Sequence, residues 1–346
     1  MPRRHPTEGS LLAEVERIFP RKVVQKNSPA NRSLVNQLSL GIGDDAALFR
    51  PTRGCEAILT CDWFLEGTHF LRHKHPPDSV GWKCLARAVS DIAAMGGKPR
   101  CFLLSLALPE SATGSWLRGF LEGLRRAARN FECVLAGGDT TKRNQIFINI
   151  TVLGEVQSGR ALRRDDASAG DLLYVSGHLG EAEQGLHLLR KHRGVAPRYS
   201  RLRKHLYPEP RLALGQWLVT KRLATAAMDL SDGLSSDLSR LCAASGVGAR
   251  INAQKLPLVN PLPSPHRARQ KTKSAENEAL QLALHGGDDY ELLFTVPRNK
   301  ASRVPTSFGG VPLTAIGEIT ATRKILLVAN GHKPATLKPA GWDPFR

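Results

Sequence analysis

Gly41-Ile-Gly-Asp-Asp-Ala-Ala47 sets two aspartates, Asp44 and Asp45, among glycines and small apolar side chains, with no neighbouring lysine or arginine to neutralise them. Four later stretches repeat the theme at the edge of an apolar run: Thr60-Cys-Asp62, Gly137-Gly-Asp139, Asp229-Leu-Ser-Asp232-Gly233 and Gly286-Gly-Asp-Asp-Tyr-Glu291. A further carboxylate, Asp91, sits in a helical stretch between them. Any one of these clusters reads as a turn, since glycine supplies positive φ and aspartate bonds its own backbone. Their recurrence points further. Carboxylates gathered unpaired away from water repel one another and lose hydration at a cost of roughly several kcal/mol each. A cation is the expected partner, and a shared metal and phosphate site is read ahead of turns.

Composition narrows the classes. A chain of 346 residues, 41% of them apolar, has room for two domains with a core in each. The longest strongly apolar run, Cys101 to Leu108, has eight residues, against the ~20 that a membrane-spanning helix needs. The basic start, Met1 to Pro6, is followed by no apolar h-region, so no secretory signal is read and a cytoplasmic protein is expected. Six cysteines contain no C-x-x-C, and several fall in apolar runs, so neither disulfides nor a structural zinc is expected. His69, His73 and His75 cluster without a cysteine or glutamate at ligand spacing. The formal charge of +18 suits a polyanionic substrate such as a nucleotide. Its excess lies in the N-terminal tail, in Arg190–Arg211 and in Pro265–Lys273, and reads as solvated basic surface, because no nucleic-acid motif accompanies it.

Residues 10 to 19 place Leu11, Val15, Ile18 and Phe19 on one helical face that Pro20 ends. Residues 23 to 38 read as a loop. Ala46–Phe49 and Ala57–Thr60 read as strands joined by the Pro51–Gly54 turn, an arrangement that would bring Asp45 near Asp62. Trp82 to Met95 is helical, with Trp82, Leu85, Ala86, Val89, Ile92 and Ala93 at buried-face spacing. Asp91 lies beside that face, near the helix C-terminus, where the dipole opposes an acid; a metal explains it better than a pair with Arg87. Cys101–Leu108 is a strand, Ser115–Asn130 a helix, and Glu132–Leu135 a strand delivering Gly137-Gly-Asp139-Thr-Thr-Lys142 to a phosphate. Gln145–Glu155 is a further strand. The domains are expected at 1–158 and 159–346. In the second, Asp229 to Asp232 fall between a strand and a helix whose apolar face is Leu234, Leu238, Leu241 and Cys242, a seat for phosphate and metal. Pro257–Asn277 reads as an exposed insertion. Leu292–Val296 is a strand, and Trp342 and Phe345 near the end could stack on a planar ring.

An aspartate-rich site lacking His and Cys sets suits Mg²⁺, which takes hard oxygen ligands from carboxylates and substrate phosphates. The chain has no G-x-x-x-x-G-K-[ST], no H-R-D or D-F-G set and no G-x-S-x-G elbow, so neither a P-loop fold nor a protein-kinase fold is expected. Metal-assisted phosphoryl transfer on another scaffold remains.

Gly41-Ile-Gly-Asp-Asp-Ala46, Asp62 with Gly67-Thr-His-Phe70, Ser90-Asp-Ile-Ala-Ala-Met-Gly96, Gly137-Gly-Asp-Thr-Thr141, Gly159-Arg-Ala-Leu162, Asp229-Leu-Ser-Asp-Gly233 and Gly287-Asp-Asp-Tyr-Glu-Leu292 together resemble the thiamine-monophosphate kinases, within the wider aminoimidazole ribonucleotide synthetase-like superfamily. The resemblance runs in order from about residue 8 to the C-terminus. It implies an α+β fold of two domains, mixed sheets flanked by helices, with a homodimer formed through the N-terminal domain and an active site in the cleft between domains. It implies ATP-dependent phosphorylation of thiamine monophosphate to thiamine diphosphate with several Mg²⁺ ions, no membrane and no nucleic acid. Carried over by position, Asp44, Asp45, Thr60, Cys61, Asp62, Asp91, Asp139, Asp229 and Asp232 would serve the metals. Gly138, Asp139, Arg164 and Ser231 would contact ATP, and His69, Asp288 and Trp342 would receive the thiamine end. No general base is expected, since the acceptor is already an anionic phosphate oxygen. Cys61 stands where the family usually has threonine, and Asp288 where it usually has glutamate, so weakened affinity is expected there rather than lost function. Two rivals are carried alongside: another ATP-dependent superfamily member with a different acceptor, and a basic nucleic-acid-binding protein whose aspartates only make turns.

Overall fold

The computed structural model describes residues 8–19, 37–42, 46–191, 193–194, 200–259 and 273–345. Asp44 and Asp45, the stretch expected as a loop from residue 23 up to residue 36, and residues 260–272 of the insertion lie outside these. The chain forms two compact units. It passes from the first to the second between Arg160 and Ala161, while Ala93–Gly96 group with the second.

The first unit holds α1 (Glu8–Ile18), β1 (Leu38–Leu40), β2 (Leu48–Phe49), β3 (Cys55–Leu65), α2 (Pro77–Ala94), β4 (Lys98–Leu108), α3 (Ser115–Asn130), β5 (Val134–Lys142) and β6 (Phe147–Gln157). Its main sheet has the order β3-β6-β4-β5, with only the β4–β5 pair parallel. One face of β3 turns Ile58 and Phe64 into the core, and the other leaves Leu59 and Trp63 exposed, the alternation of a sheet covered on one side. The cover is α2, whose Val80, Leu85, Ala86, Val89 and Ile92 are fully buried. Ile92 lies so close over β6 that a Cβ on Gly154 would come within 2.8 Å of it.

Two expectations are corrected here. β2 pairs with β1 rather than with β3, whose partner along its whole length is β6, from Cys55 opposite Gln157 to Leu65 opposite Phe147. The Gly137–Lys142 motif is not a loop after a strand: it is the strand, and Leu103 to Leu108 of β4 run beside it in register.

The second unit comprises β7 (Leu172–Ser176), α4 (Glu181–Lys191), α5 (Arg203–Leu206), α6 (Leu212–Lys221), β8 (Ala227–Asp229), α7 (Leu234–Ser245), β9 (Gly248–Asn252), α8 (Lys273–His285), β10 (Leu292–Val296), β11 (Ser307–Phe308), β12 (Val311–Thr320), β13 (Ile325–Val328) and β14 (Ala335–Thr336). The sheet order is β14-β13-β9-β12-β7-β10-β8, with β11 beside β12. Alternate residues of β7 and β10 enter different cores. Leu173, Val175 and Leu293 pack with Leu234, Leu238 and Leu241 of α7, whereas Tyr174, Leu292 and Phe294 pack with Leu214 and Leu218 of α6. Both faces of this sheet are therefore covered, which explains why Leu292–Val296 is apolar without alternation. α8 begins at Lys273, so the end of the segment read as an insertion is helix. The molecule is a two-domain α+β protein with mixed sheets flanked by helices.

Candidate active site

In the first unit the strand register sorts the acids by face. Asp62 lies opposite Ile150, which is opposite Leu104, and Leu104 is opposite Gly138; this row is on the face that α2 covers. The next row, Trp63, Asn149, Ser105 and Asp139, is on the open face. Asp62 and Asp139 thus project from opposite sides of one sheet. Thr60 shares the covered face with Asp62, and its hydroxyl donates to Oδ2 of Asp91 on α2. Cys61 points the other way and meets Asn149, with Sγ 3.1 Å from Nδ2. The thiol is thereby separated from the Thr60, Asp62 and Asp91 oxygens. His69 accepts from the Leu65 N–H at Nδ1, at 3.0 Å, with its ring 5.8 Å from that of Phe64. Gly138 is required for strand spacing: a Cβ there would lie 1.9 Å from the Leu104 carbonyl oxygen.

The second unit joins its motifs through the backbone. Asp229 ends β8 opposite Leu292 and is buried. The N–H groups of Asp288 and Tyr290 donate to the carbonyls of Ser231 and Leu230, at 2.8 and 2.9 Å, and Leu230 N–H donates to the Glu291 carbonyl. The C-terminal segment joins them, Trp342 N–H donating to the Asp232 carbonyl at 2.9 Å. The contacts need glycine, for a Cβ on Gly287 or Gly341 would come 2.7 or 1.9 Å from the Ser231 or Asp232 carbonyl oxygen. Asp288 and Tyr290 adopt left-handed φ values of 67° and 50°, uncommon for side-chain-bearing residues and here maintained by those backbone bonds. The Tyr290 hydroxyl donates to Asp288 Oδ1 at 2.7 Å. Arg164, exposed, reaches this unit through its carbonyl, which accepts from Ser245 Oγ.

Beneath the loop lie carboxylates of opposite character. Glu291, fully buried, accepts from Lys204, from Ser176 Oγ at 2.5 Å, and from Arg211 Nε and Nη2 at 2.6 and 2.5 Å. Burial alone would push its pKa up; the Lys204 charge and the Arg211 hydrogen bond outweigh that and hold it at about 2. Asp289 accepts from the N–H groups of Gly180 and Ala182 at the start of α4. There burial prevails over Lys204 and the backbone donors, and the pKa rises to about 7. Burial also raises Asp237 to about 7, assisted by the Asp232 charge. None of Lys204, Arg211, Glu291, Asp237 or Tyr290 was singled out by sequence reading. Lys204 and Arg211 fall in the basic run read as solvated surface, yet their side chains are only 16% and 15% exposed and turn inward. The available signal was the Tyr-Glu that follows the last Asp-Asp, a glutamate leading directly into a strand that is apolar but for Thr295.

Among the described residues, no three His, Cys, Asp or Glu side chains close into a metal cage. The donors are hard oxygens: Thr60 and Asp91 in contact, with Asp62 on the same face, and separately Asp229 and Asp232. They fit Mg²⁺, which is commonly held by one or two carboxylates with substrate phosphates completing the shell.

The family model described as AIR synthase related protein, N-terminal domain, matches residues 43–156, and its C-terminal counterpart matches 168–329. Thiamine-monophosphate kinase of Escherichia coli (strain K12) is 38% identical over 320 residues, covering 91% of this chain and 94% of the relative. The chain belongs to the thiamine-monophosphate kinase family. A crystal structure of thiamine-monophosphate kinase from Stenotrophomonas maltophilia K279a superposes with a TM-score of 0.73 at 35% identity, covering 87% of this chain and 94% of that one. A structure of AaThiL complexed with AMPPCP and TMP gives a TM-score of 0.71 at 34% identity, with 88% and 92% covered. The two family models thus fall mainly one in each unit and take in the Thr60–Asp62, Gly137–Asp139, Asp229–Gly233 and Gly286–Glu291 clusters, leaving Gly41-Ile42, Gly159–Leu162 and Gly341–Phe345 outside.

Proposed function

We propose that this protein is a thiamine-phosphate kinase, which transfers the γ-phosphoryl group of ATP to the phosphate of thiamine monophosphate and releases ADP and thiamine diphosphate. The observation that carries the reading is the joining of three motifs in the second unit: Ser231 and Asp232 are bonded through the backbone to Asp288 on one side and Trp342 on the other. Residues assigned to nucleotide, metal and thiamine thereby occupy one rigid bed. Its support from kinship is a relative of 34% identity that binds AMPPCP and TMP together.

In this reading Asp62 and Asp91, with Thr60, hold Mg²⁺ in the first unit, as Asp229 and Asp232 do in the second, with Asp44 and Asp45 as further acids. Bound Mg²⁺ neutralises phosphate charge and stabilises the transferring group. Gly138, Asp139, Arg164 and Ser231 contact ATP. His69, Asp288 and Trp342 receive the thiamine end, and the Tyr290 hydroxyl orients the shortened Asp288 side chain. Cys61 is assigned no ligand role, since its side chain lies on the other face of β3. The acceptor oxygen attacks phosphorus directly as the bond to ADP breaks, so no side chain need remove a proton. ATP as co-substrate calls for the cytoplasm, and no helix among the described residues is long and apolar enough to cross a membrane.

We further propose a homodimer through the open face of the first unit's sheet. Leu59, Trp63 and Leu103 are 69%, 57% and 43% exposed there, and Trp63 lines a depression of about 440 Å³ with Ala107, Phe147 and Asp139, the last staying available to the nucleotide. Contiguous apolar surface of this kind on a sheet marks an interaction site. Light scattering should give twice the chain mass, and Trp63→Lys should give a monomer.

The test of the kinase is incubation of the purified protein with ATP, Mg²⁺ and thiamine monophosphate, with Asp91→Asn and Asp232→Asn alongside. Thiamine diphosphate is expected from the wild type and at least about 100-fold less from either variant. A folded wild type that makes none would return the acceptor to open question.

A further inference from the structure

Asp232 is restrained at its N–H, its carbonyl and one carboxylate oxygen. Its carbonyl accepts from Trp342 N–H, and its own N–H donates to Oδ2 of Asp237, at 3.0 Å, as does the N–H of Gly233. Its carboxylate is taken by Arg240, two turns along α7: Nη1 reaches Asp232 Oδ2 at 2.5 Å and Asp237 Oδ1 at 2.7 Å. One guanidinium nitrogen thus serves two carboxylates of unequal standing. The Asp237 side chain is fully buried, while that of Asp232 is 23% exposed and that of Arg240 is 45% exposed.

A cation approaching Asp232 from solvent meets a carboxylate that already has a positive partner. We propose that Arg240 is a resident counter-ion of Asp232, which holds this carboxylate in place until a divalent cation replaces it and so weakens the second unit's hold on Mg²⁺. The proposal rests on the metal assignment of Asp232 made above. The exchange needs little motion. Arg240 keeps Asp237, so no buried charge is stranded, and its exposed end turns outward into water. Because a partly exposed ion pair is weak and screened by salt, the competition is modest. Arg240 is therefore a positioning residue that sets metal affinity without contacting the reacting atoms.

The experiment is a thermal-shift titration of the full chain with Mg²⁺ alone, at constant ionic strength. Arg240→Gln should reach its half-maximal shift at about three- to tenfold lower Mg²⁺ than wild type, and Arg240→Lys, with a single donor nitrogen and a shorter reach, should fall between. Raising NaCl should narrow the gap between wild type and Arg240→Gln. Melting without metal checks that the variants are folded, and Arg240→Lys carries the same test if the glutamine variant is not. An unchanged or weakened Mg²⁺ response in both variants overturns the role proposed for Arg240 while leaving the kinase reading intact. A wild type that gives no Mg²⁺ response overturns the metal assignment of Asp232 together with the proposal.

Discussion

Gly137-Gly-Asp139 and Gly286-Gly-Asp288 are the same tripeptide in two different settings. The first lies within β5, where Gly138 lets the backbone of β4 approach and Asp139 projects from an open sheet face. The second is a loop pressed against Leu230–Ser231, where Gly287 admits a carbonyl and Asp288 is held at a left-handed φ. In the first unit, then, regular strand register places the acids. In the second, backbone bonds between loops do so, over a buried ionic cluster. Carboxylate positions set by register survive small losses of side-chain contact, whereas those set by a loop depend on what lies beneath.

Four experiments can break or sharpen that contrast. The largest effect is expected from Glu291→Ala, which leaves Lys204 and Arg211 without their buried partner; urea unfolding should show a loss of about 3–5 kcal/mol. Asp62→Ala in the first unit should not match it, and a comparable loss there would erase the distinction. Gly138→Ala comes next, at about 1–3 kcal/mol, since neither neighbouring strand can yield to a Cβ. Gly287→Ala should cost less, as its contact distance of 2.7 Å exceeds the 1.9 Å at Gly138. Calorimetry on the two alanine variants decides their order.

The third concerns pH. Glu291 is held at about 2, below its ordinary 4.5, so its contribution is present above that ordinary value and is lost as pH falls towards 2. Asp289 is raised to about 7 from 3.8, so its contribution is complete in acid and is lost as pH rises through about 7. Melting temperatures of wild type should therefore decline between about pH 4 and 7 more steeply than those of Asp289→Asn, the two levelling off in parallel above that. Parallel curves would place Asp289 among ordinary carboxylates. The smallest effect is that of Tyr290→Phe, which removes one hydrogen bond to Asp288, worth about 1 kcal/mol. Steady-state kinetics should show a raised KM for thiamine monophosphate with KM for ATP unchanged; equal changes in both would mean that the loop as a whole had loosened.

The local elements were largely legible. Ser115–Asn130 is helical over the residues expected, and the α7 face of Leu234, Leu238, Leu241 and Cys242 is buried as its spacing requires. Periodicity reports such features because one buried stripe leaves its period in the chain. Pairing left no such mark. That β6 rather than β2 lies along β3 depends on residues from 82 to 102 positions apart, Leu65 with Phe147 and Cys55 with Gln157. The basic character of Lys204 and Arg211 was visible and its meaning was not, because a lysine that meets Glu291 reads like one that meets water.

By itself the sequence determined the family, the two-domain α+β class, the aspartate-rich phosphoryl-transfer chemistry and the residues to suspect, since glycine, aspartate and apolar runs carry local constraints that spacing preserves. Only the tertiary structure decided that Asp62 and Asp139 face opposite ways, that Cys61 turns away from Thr60 and Asp62, and that Arg240 holds Asp232. Those are matters of face, register and through-space charge, which arise when distant segments meet and have no counterpart in the order of residues along the chain.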